Sequence, residues 1–200
     1  MLLIDYNLSS LVVDTLCEQA VDESATVACF YFDFATQEEQ SPATILGSVL
    51  KQVVGGFDKV PETIVKAFRD KKRVIGGQRL ALAEIVELLQ DISSSQRTFI
   101  CIDALDECPA RPRAGLLGSL SQILQKSPAT RIFLTGRPHI RDEVKLHLAG
   151  KAATRSITPT KGDIVIFLQA KLKEDTIPDA MDKCLQEEII QIIPETVSEM

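Results

Sequence analysis

The chain has 200 residues, 45% of them hydrophobic and 25% charged, with a formal net charge of −6. That length and apolar share suit one α/β domain, or one domain and the start of another, with enough material for a buried core. The acidic balance, with a pI of about 5.0, excludes the basic surface that nonspecific nucleic-acid binding needs, and no apolar run is long enough to cross a membrane.

The opening MLLID lacks a basic stretch and a long apolar core, so it is a poor signal peptide. Leu8–Gln19 carries apolar residues at 8, 11, 12 and 16, a helical spacing. Thr26–Phe34 (TVACFYFDF) is dense in aromatic and β-branched residues and reads as a strand. Ser41-Pro42 is a helix start, with Ser as N-cap and Pro in the first turn, and the helix is expected to reach Val54 and stop at Gly55-Gly56. Pro61–Lys71 is expected as a second helix, ended near a Gly76-Gly77 turn. Leu80, Leu82, Ile85, Val86, Leu88 and Leu89 mark a third.

The stretch 97–107 reads RTFICIDALDE. Its short, β-rich apolar run predicts a strand buried on both faces, as in a parallel sheet. In open α/β sheets ligands gather at the carboxyl ends of the strands. Asp103, Asp106 and Glu107 fall at that end. Clustered carboxylates there hold a hard cation such as Mg²⁺, usually through water, and leave one acid to orient or deprotonate a nucleophilic water. The same residues serve equally well as helix caps or as the solvated part of a turn.

A helix is expected over Ala110–Lys126. TRIFLTGRP (130–138) then predicts a second short buried strand, Ile132–Leu134, with Arg137 at its end. A guanidinium there matches phosphate oxygens in a forked geometry; the plain alternative is an Arg paired with a nearby carboxylate. Pro138 favours an extended Arg137. Two strands joined by one crossover helix make a βαβ unit, with acidic and basic ends on the same edge of the sheet. A short helix to Leu148 and a weak strand, Ala153–Thr158, follow. From Lys161 the pattern is helical only (DIVIFLQAKL, then CLQEEIIQII stopped by Pro194), which places a domain boundary near residue 160. The two units are 1–160, α/β, and 161–200, the start of a helical subdomain.

Cys17, Cys29, Cys101, Cys108 and Cys184 form no CxxC pair, and their number is odd. They imply a reduced, cytoplasmic setting rather than a disulfide scaffold. His139 and His147 have no cysteine spacing that fits zinc.

The order VACFYFDF, EEQSPATILGSVLKQV, FICIDALDEC, RIFLTGRP and DIVIFLQAKL resembles the NACHT-type NTPase domain of fungal NLR-like proteins, within the STAND class of P-loop NTPases. The resemblance implies a three-layer αβα fold with a parallel sheet, and a switch in which ATP or GTP with Mg²⁺ binds one sheet edge. It implies effector and repeat regions, ankyrin among them, as protein partners, with no nucleic acid or membrane. Carried across, Asp103 matches the metal-holding Walker B aspartate. Asp106 and Glu107 match the catalytic acidic pair that positions metal and water, and Arg137 matches the sensor facing the γ-phosphate.

The resemblance breaks at the front. No G-x-x-x-x-G-K-[ST] occurs in the chain. Aligning LSSLVVD on the family helix puts Ile4, Asp5 and Tyr6 where the last Gly, the Lys and the Ser/Thr belong. Asp for Lys inverts the charge facing a polyphosphate, and the lost charge-assisted hydrogen bonds are worth about 1.5–3 kcal/mol each. The family's first strand, which lies between its fifth and fourth strands, is missing as well, and MLLIDYN is expected to extend the first helix backward. The expected product is a truncated, degenerate nucleotide-binding switch domain with NTP hydrolysis lost. The alternative is a non-catalytic interaction or scaffold remnant that binds no nucleotide.

Overall fold

The computed structural model describes residues 4–23, 25–33, 40–72, 79–148, 150–174 and 182–198. They divide into two compact units, 1–152 and 153–200. The first is built on three parallel strands, β1 (Thr26–Tyr31), β2 (Thr98–Asp103) and β3 (Thr130–Leu134), in the order β1-β2-β3. Cys29 sits beside Cys101, and Cys101 beside Phe133. The connections are helical: α2 (Pro42–Gly55), α3 (Glu62–Lys72) and α4 (Leu82–Ser95) between β1 and β2, then α5 (Ala110–Lys126) between β2 and β3. Helix α1 (Ile4–Glu23) precedes the sheet, and α6 (Arg141–His147) follows it after a 3₁₀ turn at Pro138–Ile140.

The central strand is the most buried, as its unbroken apolar run predicts. Ile100 and Ile102 on one face belong to the main core with Ile45, Leu46 and Val49 of α2, Leu89 of α4, and Leu116 and Leu120 of α5. Cys101 and Asp103 lie on the other face, where α1 packs on β1 and β2. Helices on both faces of a parallel sheet make the expected P-loop NTPase-like α/β architecture.

The start of α2 follows its sequence signature. Ser41 is the N-cap, its hydroxyl accepts the Thr44 N–H at 3.2 Å, and Pro42 occupies the first turn. Helix α5 has the predicted bounds. Helix α1 is longer than Leu8–Gln19 and includes the expected backward extension to Ile4. Its inward line differs from the one predicted, since Leu11 is exposed while Ser9 and Ala20 are buried. Met1–Leu3, the Gly76-Gly77 turn and the side chains of Asp5 and Tyr6 lie outside the described residues.

Three further expectations are corrected. Strand β3 is only half-buried along Ile132–Leu134, because it is the edge of the described sheet. Ala153–Thr158 forms no strand and is exposed throughout; a strand needs a neighbour for its N–H and C=O groups, and this segment has one large apolar residue, Ile157, to bury. Pro194 does not end its helix. Among the described residues the second unit holds α7 (Lys161–Glu174) and α8 (Lys183–Ser198), and α8 runs on past Pro194, with the Thr196 hydroxyl bonded to the Ile192 carbonyl at 3.0 Å. Helix α7 opens on a reciprocal cap: the Asp163 carboxylate accepts the Thr160 N–H at 2.8 Å, and the Thr160 hydroxyl accepts the Asp163 N–H at 3.2 Å.

Candidate phosphate-site rim at the ends of β2 and β3

β2 ends on Asp103, and the chain reverses at once. Ala104 is left-handed, with φ 53° and ψ 43°, and it opens the short 3₁₀ turn Leu105–Glu107. β3 ends beside that turn on Thr135, Gly136 and Arg137. Thr135 stitches the two strand ends together. Its N–H donates to the Ile102 carbonyl at 3.0 Å, and its own carbonyl accepts the Leu105 N–H at 3.0 Å. Its hydroxyl accepts the Ala104 N–H at 3.0 Å and donates to Asp103 Oδ1 at 2.5 Å.

Asp103 is 6% exposed. The Ser9 hydroxyl on α1 also donates to its Oδ1. A buried carboxylate is costly unless its oxygens are hydrogen-bonded, and two hydroxyls on one oxygen meet that requirement in part. Tyr31 stands nearby on β1, and its phenol pKa is raised, first by burial and then by the neighbouring charges of Cys29 and Asp103.

Arg137 is on the same rim but meets a different acid. Its N–H donates to Asp106 Oδ1 at 3.1 Å, and its Nε lies 3.3 Å from Oδ2. The Asp106 side chain is 7% exposed and that of Arg137 52%. Between them, Gly136 packs under Ile140: a Cβ there would sit 2.7 Å from Ile140 Cδ1, and 3.4 Å from Asp106 Oδ1, an ordinary contact. The turn is also held from behind. Arg113 on α5 donates to the Cys108 carbonyl at 2.7 Å and the Asp106 carbonyl at 3.3 Å, and its Nε pairs with Glu143 of α6 at 2.8 Å. Glu107 is half-buried, and its N–H closes the turn onto the Ala104 carbonyl at 2.9 Å.

The four residues singled out from the sequence thus share one sheet rim, in two pairs of contacts rather than one cluster. Asp103 faces hydroxyls, and Asp106 faces Arg137. Among the described residues, no three His, Cys, Asp or Glu side chains converge to hold a metal. Ser9, Val13, Tyr31, Cys101 and Phe133, among others, line a shallow surface hollow beside Asp103 that encloses no space for a water molecule. Ser9, Thr135, Arg113 and Glu143 are site residues the sequence reading missed. Thr135 had a signal, since it directly precedes the Gly-Arg-Pro turn. Ser9 lies in the helical run Leu8–Gln19 and had no signal of its own.

Residues 7–137 match the family described as Nephrocystin 3, N-terminal. The match covers more than half of the chain and spans the rim from Ser9 to Arg137. The chain belongs to the nephrocystin-3 N-terminal family. No curated protein matches it significantly. Among solved structures it is similar to the Orc1 protein of Aeropyrum pernix in complex with DNA, at 16% identity and a TM-score of 0.56. That alignment covers 96% of this chain and 45% of the Orc1 chain, so this member of the nephrocystin-3 N-terminal family spans less than half of that protein's length. At such identity the likeness carries the fold alone, which is the P-loop NTPase-like parallel sheet described above.

Proposed function

We propose that the chain is the nucleotide-binding core of a NACHT-type signalling switch in a fungal NLR-like protein, with weak affinity in these 200 residues. The observation that carries the reading is the shared rim: a buried Asp103 at the end of β2, touched by two hydroxyls, next to an Arg at the end of β3. Asp103 and Ser9 are all-oxygen donors that suit Mg²⁺, a cation commonly held by one or two carboxylates together with the phosphates of its substrate. When bound, the ion would neutralise phosphate charge. Arg137 would bind a phosphate oxygen, Thr135 and Ser9 would hold Asp103 in place, and Glu107 would be the acid that orients the attacking water. The low affinity follows from the missing G-x-x-x-x-G-K-[ST] loop, the main phosphate cradle of the class. The formal charge of −6 argues against DNA as a ligand. The partners are ATP or GTP and the other domains of a cytoplasmic signalling protein.

Thermal unfolding tests this. A dissociation constant on the order of 1 mM predicts that 10 mM Mg·ATP or Mg·GTP adds about 1.4 kcal/mol, a rise of roughly 3–6 °C in Tm. Asp103→Asn should abolish the rise. No shift with either nucleotide, or an equal shift in the variant, removes the reading.

One observation favours a second reading, a non-catalytic interaction module. The rim is closed on itself: Asp106 and Arg137 satisfy each other, and the hollow beside Asp103 is small. On this reading the Asp103→Ala/Glu107→Ala double variant changes stability only. Loss of a measurable NTP hydrolysis in that variant rejects it.

A further inference from the structure

We propose that Asp106 is the positioning residue for Arg137, rather than an acid acting on water. The inference deepens the reading of this rim as a polyphosphate site and rests on it for its ligand. Both Asp106 oxygens face one residue: Oδ1 accepts the Arg137 backbone N–H at 3.1 Å, and Oδ2 is ion-paired with its Nε at 3.3 Å. An oxygen pair engaged in this way is poorly placed to take a proton from water. What the contact does is fix the arm. The backbone at 137 and the root of the guanidinium are tied to one nearly buried carboxylate, while half of the Arg side chain remains exposed to solvent, where an anion could meet it. The carboxylate is itself fixed. Arg113 grips the turn through the Asp106 and Cys108 carbonyls and is anchored by Glu143. A pre-set arm spares the side-chain ordering cost that binding would otherwise include.

The sign of one substitution separates this role from plain electrostatics. Removing a negative charge beside an anion site should tighten anion binding if Asp106 is only a neighbour. If it positions Arg137, the same change weakens binding. The chain and its Asp106→Asn and Asp106→Glu variants are titrated with Mg·ATP and with inorganic tripolyphosphate. We expect Asp106→Asn to weaken both about 10-fold and Asp106→Glu, which keeps the acid, to stay within about threefold of the parent. Equal or tighter binding by Asp106→Asn overturns the proposal, as does a ranking seen with Mg·ATP and absent with tripolyphosphate. A second readout needs no ligand. The ¹⁵N resonance of Arg137 Nε–H should exchange slowly with solvent in the parent, stay slow in Asp106→Glu and be lost to fast exchange in Asp106→Asn. If the parent binds neither probe, the polyphosphate reading fails, and this signal still decides the positioning claim: its survival in Asp106→Asn overturns it. Should Asp106→Asn not unfold cooperatively, Asp106→Ser takes its place in both comparisons.

Discussion

Ala104 carries a left-handed backbone without being glycine, and among the described residues it is the only non-glycine with positive φ. The conformation costs an L-residue about 1–2 kcal/mol, and it sits between Asp103 and the turn that brings Asp106 back to Arg137. Three hydrogen bonds from two residues impose it: the Thr135 hydroxyl on its N–H, the Glu107 N–H on its carbonyl, and the Thr135 carbonyl on the next N–H. Strain held this firmly next to a buried acid is the pattern of a functional turn. Ala104→Gly should therefore leave stability unchanged or raise it by up to about 1 kcal/mol, whereas Ala104→Val should lower it by about 1–3 kcal/mol. Urea unfolding of the two variants measures the difference; a Gly variant less stable than the parent by more than 1 kcal/mol would show that the backbone there is not strained.

At the scale of elements, the two borders of the described sheet are treated differently. At β1 the Gln52 side chain, reaching down from α2, acts as a short substitute strand. Its Oε1 accepts the Cys29 N–H at 2.9 Å, and its Nε2 donates to the Cys29 carbonyl at 2.8 Å. An uncovered strand edge invites pairing with other chains, and one amide closes it here at its midpoint. Gln52→Met keeps the length of the side chain and removes both bonds. It should cost about 1–2 kcal/mol and speed hydrogen exchange at the Cys29 amide; an unchanged exchange rate would mean the amide contributes nothing to the edge. β3, at the other border of the described sheet, is half-buried along Ile132–Leu134.

At the scale of the whole molecule, burial of thiols makes the fold sensitive to alkali. Burial pushes Cys101 and Cys108 from the ordinary thiol value of 9.0 up to about 11, and it raises Cys29 as well. Below pH 9 both the folded and the unfolded chain hold these protons, and stability is intact. Between pH 9 and about 11 the unfolded chain releases them first, so stability falls as pH rises through that window. The urea midpoint should drop between pH 8.5 and pH 10.5, and Cys101→Ala/Cys108→Ala should flatten the slope. Burial also makes Cys101 and Cys108 slow to alkylate at neutral pH, in contrast to the exposed Cys17 and Cys184.

Wherever an element depends on its own residues and their immediate neighbours, the sequence determined it. The apolar run Phe99–Ile102, the Ser41-Pro42 start and the span Ala110–Lys126 all reappear as written, because burial period, capping and helix-breaking are local properties. The rim itself was legible too, since parallel strands joined by a crossover helix must end on the same edge. Partner choice was decided only by the tertiary structure. Nothing near Asp106 in sequence says that Arg137, 31 residues on, will hydrogen-bond and ion-pair with it, or that a hydroxyl from the first helix will reach Asp103, 94 residues away. Ala153–Thr158 makes the same point in reverse: its composition allowed a strand, but a strand exists only by pairing, and pairing is settled by what lies alongside in space.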